Sequence, residues 1–219
     1  DMDMVARFRP LGAGYVTLTR NGHTALGDSG QPSRALGDAV AKHGGLSALG
    51  REAIAEMNRL GMLVDVSHTG RETMLQAVEV SSVPVVATHA CVKALCDHPR
   101  NLDDVQLDAL KASGGLIQIT AIGGFLRPRA ELAGRRATVA DYMDHLDYVV
   151  KRLGVEYVGI SSDFDGGGQL EGWENAAASP ALTAELMRRG YDRSEIQAFW
   201  GGNFRRLLRQ GEDAANAAL

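Results

Sequence analysis

Two histidines, His68 and His89, stand at the ends of two successive apolar runs of this sequence. A single histidine after a strand more often has a structural role and bonds a backbone carbonyl. Two that end consecutive strands would point neutral imidazoles into one cavity, and imidazole is a common ligand of zinc-type ions. Because a catalytic zinc usually has three protein ligands and an open position, these two residues alone predict an incomplete metal site.

A carboxylate and a guanidinium follow two of the apolar runs. Asp163 lies in the segment SSDFDG at 161–166, where a turn is the ordinary interpretation and a metal ligand or general base is the functional one. Arg100 lies in LCDHPRN at 95–101. A surface arginine is the default there, but an arginine after a histidine-bearing strand could bind a substrate carboxylate through two parallel hydrogen bonds. The residue types leave both choices open.

The elements that would position these residues are apolar, β-branched runs separated by helix-length segments. Continuous hydrophobicity, without alternation, is typical of parallel strands buried on both faces. Helix N-caps are predicted at Thr138 and Asp192, and a closing helix at 194–208. The alternation indicates an α/β fold, either a barrel or an open doubly wound sheet. The five predicted strands are 15–19, 62–67, 83–88, 116–121 and 155–161.

Polar residues collect at the carboxyl ends of four of these strands, namely Arg20, His68, His89 and Asp163. In an α/β barrel that face carries the active site, and a complete barrel has eight units in about 250 residues. Five units are visible here, so three would be missing. No glycine-rich phosphate loop follows the first strand, which disfavours a dinucleotide-binding sheet.

Composition excludes several function classes. The chain has 219 residues, 45% of them hydrophobic, and a net charge of −4. It can therefore form one sizeable core, and it lacks the basic field that a nucleic-acid or anionic-membrane partner needs. No apolar run reaches the about 18 to 20 residues of a membrane span. Cys91 and Cys96 are interpreted as buried, reduced thiols, and His43 and His145 as structural.

Five segments carry a more specific pattern: YVTLTRNGH at 15–23, GMLVDVSH at 61–68, PVVATHACVKALCDHPRNLDD at 84–104, GVEYVGISSDFDG at 154–166 and AELMRRGYDRSEIQAFWGGNFRRLL at 184–208. In this order they resemble the membrane (renal) dipeptidase family of metallopeptidases. The resemblance implies a TIM-like (β/α)8 barrel with about five of the eight βα units in this chain. Residues 1–210 would be the C-terminal portion of that single domain, and residues 211–219 a flexible tail.

The resemblance also implies a chemistry, the zinc-dependent hydrolysis of dipeptides. Two zinc ions bridged by a carboxylate would hold a hydroxide that attacks the amide carbonyl. By motif match, His68 and His89 would ligate one zinc, and Asp163 would be the acid/base carboxylate. Arg100 would bind the substrate's terminal carboxylate. Phe125 falls near a family tyrosine that shapes the pocket.

Two departures from the family pattern affect activity. The family's His-x-Asp pair and its bridging glutamate belong to segments that would precede Asp1, so the chain as given is expected to bind metal weakly and to be inactive. Family members also usually have Thr-His-Asn where this sequence has Thr19-Arg20-Asn21. Arg20 could offer positive charge to an oxyanion, block the pocket, or leave the task to His23.

Two other functions stay open at this point. The chain could belong to another metal-dependent amide or lactam hydrolase of the same barrel type, or to a truncated or degenerate homologue without activity, and the fold alone does not separate these. The dipeptide preference, its stereochemistry and the oligomeric state, a homodimer included, are also open. Any targeting segment would lie upstream of Asp1, so the compartment is undetermined.

Overall fold

A single parallel sheet forms the centre of the molecule, in a computed structural model that describes residues 3–217. Its strands are β1 (Tyr15–Thr17), β2 (Leu63–Asp65), β3 (Val86–Ala90), β4 (Leu116–Ile119) and β5 (Val158–Ile160). They pair in chain order, and every pair is parallel. Parallel strands in sequential order, each followed by a helical connection, form the wall of an α/β barrel. The five predicted strand–helix units are confirmed.

Helices flank the sheet, and their starts follow local sequence signals. The side chains of Thr138 and Asp192 each accept from the backbone N–H of the third residue of the helix that follows. The carboxylate of that residue in turn accepts from the backbone N–H of Thr138 or Asp192, which confirms both predicted N-caps. The α-helices are α1 (Asp3–Phe8), α2 (Ala48–Arg59), α3 (Arg71–Val80), α4 (Asp104–Ala112), α5 (Gly123–Leu126), α6 (Arg129–Leu132), α7 (Val139–Arg152), α8 (Pro180–Arg188), α9 (Arg193–Gln197) and α10 (Asn203–Ala217).

The predicted closing helix at 194–208 is interrupted. Helices α9 and α10 are separated by a wide turn at Ala198–Gly202, within which Gly201 has a φ of 154°. A residue with a side chain rarely adopts that φ, so the glycine permits the chain to change direction there. The sequence prediction of one continuous helix was wrong at this point.

Helix α10 lies across the amino-terminal ends of the strands. Asn203 Nδ2 donates to the carbonyl of Val155 at 2.7 Å, just before β5. Arg206 Nη1 donates to the carbonyl of Gly114 at 3.3 Å, just before β4. Leu207 is fully buried in a small cluster with residues of β2, β3 and β4. The helix therefore covers the end of the sheet opposite to the one where the polar residues were predicted to collect.

The segment predicted to be a flexible tail, 211–219, is helical as far as Ala217. Gly211 is buried, and a Cβ atom built on it would meet the carbonyl oxygen of Gly61 at 3.2 Å. The alanine-rich sequence favours continuation of the helix, and the glycine allows the backbones to approach. Residues 218 and 219 lie outside the described residues.

The core contains the strands themselves and the helix faces packed on them. Leu63, Val86, Leu116 and Val158 are fully buried, as expected of strands covered on both sides. Cys91 and Cys96 are both buried, as predicted, and their thiols are not bonded to each other. Between residues 3 and 217, no helix combines the length and apolar character that crossing a membrane requires.

His145, predicted to be structural, is buried in α7 with both ring nitrogens bonded. Nδ1 accepts from the backbone N–H of Val92 at 3.0 Å, and Nε2 donates to the carbonyl of Leu126 at 2.9 Å. Burial lowers the pKa of His145 to about 4. Its neutral form is therefore part of the fold.

This burial predicts a pH dependence of stability. The imidazole has a pKa of about 6.5 in the unfolded state, so below that pH the unfolded state binds more protons than the folded state. Stability therefore falls as the pH drops toward about 4. His145→Gln keeps one acceptor and one donor but does not titrate. We expect this variant to lose about 2 kcal/mol less than the wild type between about pH 7 and about pH 4.5 in urea unfolding. Equal losses in the two proteins would contradict the assignment.

Candidate active site

His68 and Asp163 share an uncommon backbone conformation. Among residues 3–217, only three non-glycine residues have a positive φ, namely His68 at 67°, Ala133 at 47° and Asp163 at 55°. Such conformations carry a cost of about 1 to 3 kcal/mol and collect at functional sites. Two of the three are residues that the sequence assigned to the site, each in the turn after a strand.

His89 lies within β3, and not after it as the sequence predicted. In the pairing of β3 with β4, Ala87 stands opposite Ile117 and Ala90 opposite Ile119, so three steps along β3 match two along β4. The extra residue makes a bulge at Thr88 and His89. Bulges re-aim side chains and are frequent beside active sites.

The rings of His68 and His89 are neighbours in an edge-to-face arrangement, with centroids 4.9 Å apart and planes at 68°. Two imidazoles bound at about 2.1 Å to one tetrahedral ion have centroids about 5 Å apart, so the pair fits a metal ion. Burial lowers the pKa of His68 to about 3, with Arg100 adding to the effect, and burial also lowers that of His89. Both rings are therefore neutral at physiological pH, which is the form that binds metal.

The two histidines do not by themselves make up a complete ligand set for a metal ion. Within the described range 3–217, no group of three or more histidine, cysteine, aspartate or glutamate side chains is placed to hold an ion. A catalytic zinc usually has three protein ligands. The structure therefore brings the predicted pair together without completing a site.

Arg100 is a buried cation, 7% exposed, and no carboxylate of residues 3–217 lies within ion-pair distance of it. Its Nη2 donates to the carbonyl of His89 over a long 3.4 Å, and its Nε has no partner there. Burial lowers the pKa of Arg100 to about 10, although the negative charges of Asp163 and Asp65 act to raise it. A desolvated guanidinium without a bonded anion is a strong anion-binding group.

Phe125 packs beside Arg100, as the assignment of both to one pocket requires. The guanidinium carbon of Arg100 lies 5.4 Å from the centroid of the Phe125 ring. That ring also stacks on His98, with centroids 4.3 Å apart. The aromatic ring restricts the guanidinium plane, so Arg100 presents a defined edge.

Asp163 occupies a tight turn after β5. Its carbonyl accepts from the backbone N–H groups of Gly166 at 2.9 Å and Gly168 at 2.8 Å. A Cβ atom at Gly166 would collide with the Asp163 carboxylate, so a side chain there would displace it. The negative charge of Asp163 is near enough to raise the pKa of both His89 and Arg100, in opposition to the effect of burial. Asp165, two residues on, is exposed.

Arg20 and His23 have different environments. The exposed Arg20 guanidinium makes no hydrogen bond or ion pair with residues 3–217, and its positive charge reaches His68 and His89. His23 is held by the loop: its Nδ1 accepts from the N–H of Ser29 at 3.0 Å, and its Nε2 donates to the carbonyl of Ala39 at 2.9 Å. No ring nitrogen of His23 is free for a substrate, so the geometry favours Arg20 as the available cation.

Asp65, for which no role was predicted, lies directly behind this site. Asp65 is fully buried at the end of β2 and accepts from the hydroxyls of Thr17 at 2.7 Å and Thr88 at 2.8 Å. It also accepts from the backbone N–H groups of Ser67 and Thr88. A charge inside the buried run LVDVS was a usable signal, because burying a carboxylate is unfavourable without several partners.

Comparison with known proteins decides the family. The model of the family "Membrane dipeptidase (Peptidase family M19)" matches residues 1–219. The chain belongs to the membrane dipeptidase family. Among curated family relatives, it is 35% identical over 213 residues to Dipeptidase 3 of Mus musculus, covering 97% of this chain and 42% of that protein. It is 36% identical over 209 residues to Dipeptidase tcpJ of Claviceps purpurea, covering 95% and 47%. The chain thus spans less than half the length of these dipeptidases.

Solved structures of related proteins confirm the fold of this membrane dipeptidase chain. The probable dipeptidase PvdM from Pseudomonas aeruginosa matches with a TM-score of 0.93 and 29% identity, over 98% of this chain and 66% of that one. A metallo peptidase from Rhodobacter sphaeroides, liganded with a phosphinate mimic of the dipeptide L-Ala-D-Ala, matches with a TM-score of 0.83 and 29% identity, over 95% and 59%. The predicted family and the TIM-like barrel class are both confirmed, with five strands of the wall present here.

Proposed function

We propose that the intact protein hydrolyses dipeptides at a centre of two zinc ions, and that His68 and His89 are ligands of one of them. The observation that carries this proposal is the pair of neutral imidazoles, 4.9 Å apart, beside a buried unpaired guanidinium. When bound, the metal supplies Lewis-acid polarisation of the carbonyl and lowers the pKa of water from about 15.7 toward about 7. The remaining ligands would come from residues outside 3–217.

Arg100 would recognise the substrate's terminal carboxylate. The guanidinium is desolvated and has no acidic partner among the described residues, so an arriving carboxylate supplies the anion that it lacks. Phe125 restricts its orientation. Recognition of a carboxylate close to the reacting amide favours a substrate of two residues. The dipeptide mimic bound to the Rhodobacter sphaeroides relative supports this choice.

Asp163 would move the proton. Its negative charge acts on both His89 and Arg100, which supports a place for its carboxylate near the scissile amide of a bound dipeptide. There it takes a proton from the attacking water and passes it to the leaving amine. Arg20, at the end of β1, would place positive charge near the oxygen that becomes negative in the transition state.

Metal analysis and turnover test the proposal together. We expect about two zinc ions per chain in the intact protein, and hydrolysis of dipeptides that stops on chelation and returns with added zinc. The 219 residues alone should bind zinc weakly and show no useful turnover, because the ligand set of residues 3–217 is incomplete. Intact protein that binds zinc yet cleaves no member of a panel of L,L- and L,D-dipeptides would refute the proposal.

A second candidate is hydrolysis of another amide or a lactam at the same centre. It is favoured by the similarity to an amidohydrolase from Pseudomonas aeruginosa, with a TM-score of 0.83 and 28% identity over 96% of this chain and 68% of that one. The two candidates differ in whether the substrate carries a carboxylate. Substitution of Arg100 therefore separates them.

A further inference from the structure

Buried hydroxyl and carboxylate groups form a hydrogen-bonded chain behind His89. Asp65 Oδ2 lies 2.8 Å from Thr88 Oγ1, and Thr88 Oγ1 lies 2.9 Å from Nδ1 of His89. Thr17 contributes a second hydroxyl to Asp65 Oδ2 at 2.7 Å. The backbone N–H of His89 donates to the hydroxyl of Ser67 at 3.0 Å, which fixes the main chain at the same point.

The polarity of this chain follows from the number of protons available. A carboxylate only accepts, so the single hydroxyl proton of Thr88 is directed to Asp65. The Thr88 oxygen then has no proton left to donate to His89, so it acts as the acceptor in that contact. The proton of the neutral imidazole must therefore be on Nδ1. Nε2 of His89 is left with its lone pair free.

His68 has the same tautomer as His89, but a different partner determines it. Its Nδ1 lies 3.1 Å from Oδ1 of Asn21, a carbonyl oxygen that also only accepts. The proton of the His68 ring is therefore on Nδ1, and its Nε2 is unprotonated. Two separate contacts, one from Thr88 and one from Asn21, give the neighbouring rings the same tautomer.

We propose that Asp65, acting through Thr88, is a positioning group that fixes the Nδ1–H tautomer of His89, and that Asn21 does the same for His68. Both histidines then present Nε2 lone pairs to one ion. An oriented partner on the other ring nitrogen is how proteins set the direction and basicity of an imidazole ligand. The identity of the ion rests on the proposed function, whereas the tautomers are a property of the metal-free protein.

A purely structural role for Asp65 makes a different prediction. The carboxylate of Asp65, on β2, accepts hydrogen bonds from groups of β1 and β3. If this role is only structural, loss of the network would lower the stability of the fold and leave the imidazole proton on the same nitrogen. Thr88→Val removes the hydroxyl at almost constant shape, and Thr88→Ser restores it. Thr120→Val is the matched control, because Thr120 is a buried threonine just after β4 whose hydroxyl has no partner within residues 3–217.

The test uses ¹⁵N-histidine-labelled intact protein without metal, at neutral pH, read by long-range proton–nitrogen correlation. We expect His68 and His89 of the wild type to show a protonated Nδ1 and an unprotonated Nε2. Thr88→Val should shift His89 toward the other tautomer or a mixture, while Thr88→Ser and Thr120→Val keep the wild-type pattern. With zinc alone as the probe, chelator competition should show about 10- to 100-fold weaker binding for Thr88→Val.

An unchanged His89 spectrum in a folded Thr88→Val protein would overturn the proposal, and so would an Nε2–H tautomer in the wild type. If Thr88→Val does not fold, Asn21→Ala provides the equivalent test, in which the tautomer of His68 should change. Asn21 is exposed, so its replacement does not disturb the core. An unchanged His68 spectrum there would overturn the proposal. Wild-type protein with the expected spectrum but no zinc binding would refute the proposed function and leave the tautomer assignment supported.

Discussion

Replacement of Asp163 by asparagine is expected to lower kcat for dipeptide hydrolysis by about 10²- to 10⁴-fold. The amide cannot take a proton from water, yet it has nearly the shape of the carboxylate. Asparagine also tolerates the left-handed backbone at this position, where φ is 55°, so the turn should persist. Steady-state kinetics on the intact, zinc-loaded protein measures the effect, and KM should change far less than kcat.

Asp165→Asn is the matched control for this result. It makes the same chemical change two residues along the same turn, at an exposed carboxylate. Its activity should remain within a small factor of the wild type, and both variants should keep the wild-type zinc content. Equal losses in the two variants would show that the turn, and not the Asp163 carboxylate, is what matters.

Replacement of Arg100 by alanine is expected to lower kcat/KM for dipeptides by about 10²-fold or more. The substrate carboxylate would then enter a desolvated site without its cation. Arg100→Lys should recover only part of the loss, because an ammonium does not offer two parallel donors. Arg71→Ala, at a half-exposed arginine already paired with Asp103, is the control and should have little effect.

The same variant separates the two candidate functions. A dipeptide whose C-terminus is blocked as an amide should be a poor substrate of the wild type, and Arg100→Ala should reduce its hydrolysis little further. If the natural substrate is a neutral amide or lactam, the good substrates will be insensitive to Arg100→Ala. A uniform loss on carboxylate-bearing and neutral substrates would indicate that Arg100 supports the fold of the pocket instead.

The sequence was sufficient to predict the strand order and the proximity of His68, His89 and Arg100. Strands buried on both faces are continuous apolar runs, so their number and approximate places were visible, and parallel pairing in chain order brings their carboxyl ends together. That is why His68, His89, Arg100 and Asp163 could be expected to meet. Their meeting in the structure follows from topology.

The features that were not predicted depend on register. A strand buried on both faces shows no alternation, so an inserted residue such as the one at the Thr88–His89 bulge leaves no trace in the pattern. The partners of Asp65 come from β1 and β3, which lie 48 and 23 residues away in the sequence. Only the alignment of three strands shows that these hydroxyls converge on one carboxylate.

The unpaired guanidinium of Arg100 does not distinguish a peptide terminus from other small carboxylates. In the proposed reaction, the released C-terminal amino acid would keep the carboxylate that Arg100 binds. The product would then compete with the next substrate, and we expect the measured rate to fall early in the reaction. Acetate and glycine buffers offer the same group and would depress the measured rate. If Arg100 binds substrate as proposed, its isolation from the acidic residues of 3–217 would also make the reaction self-limiting wherever amino acids accumulate.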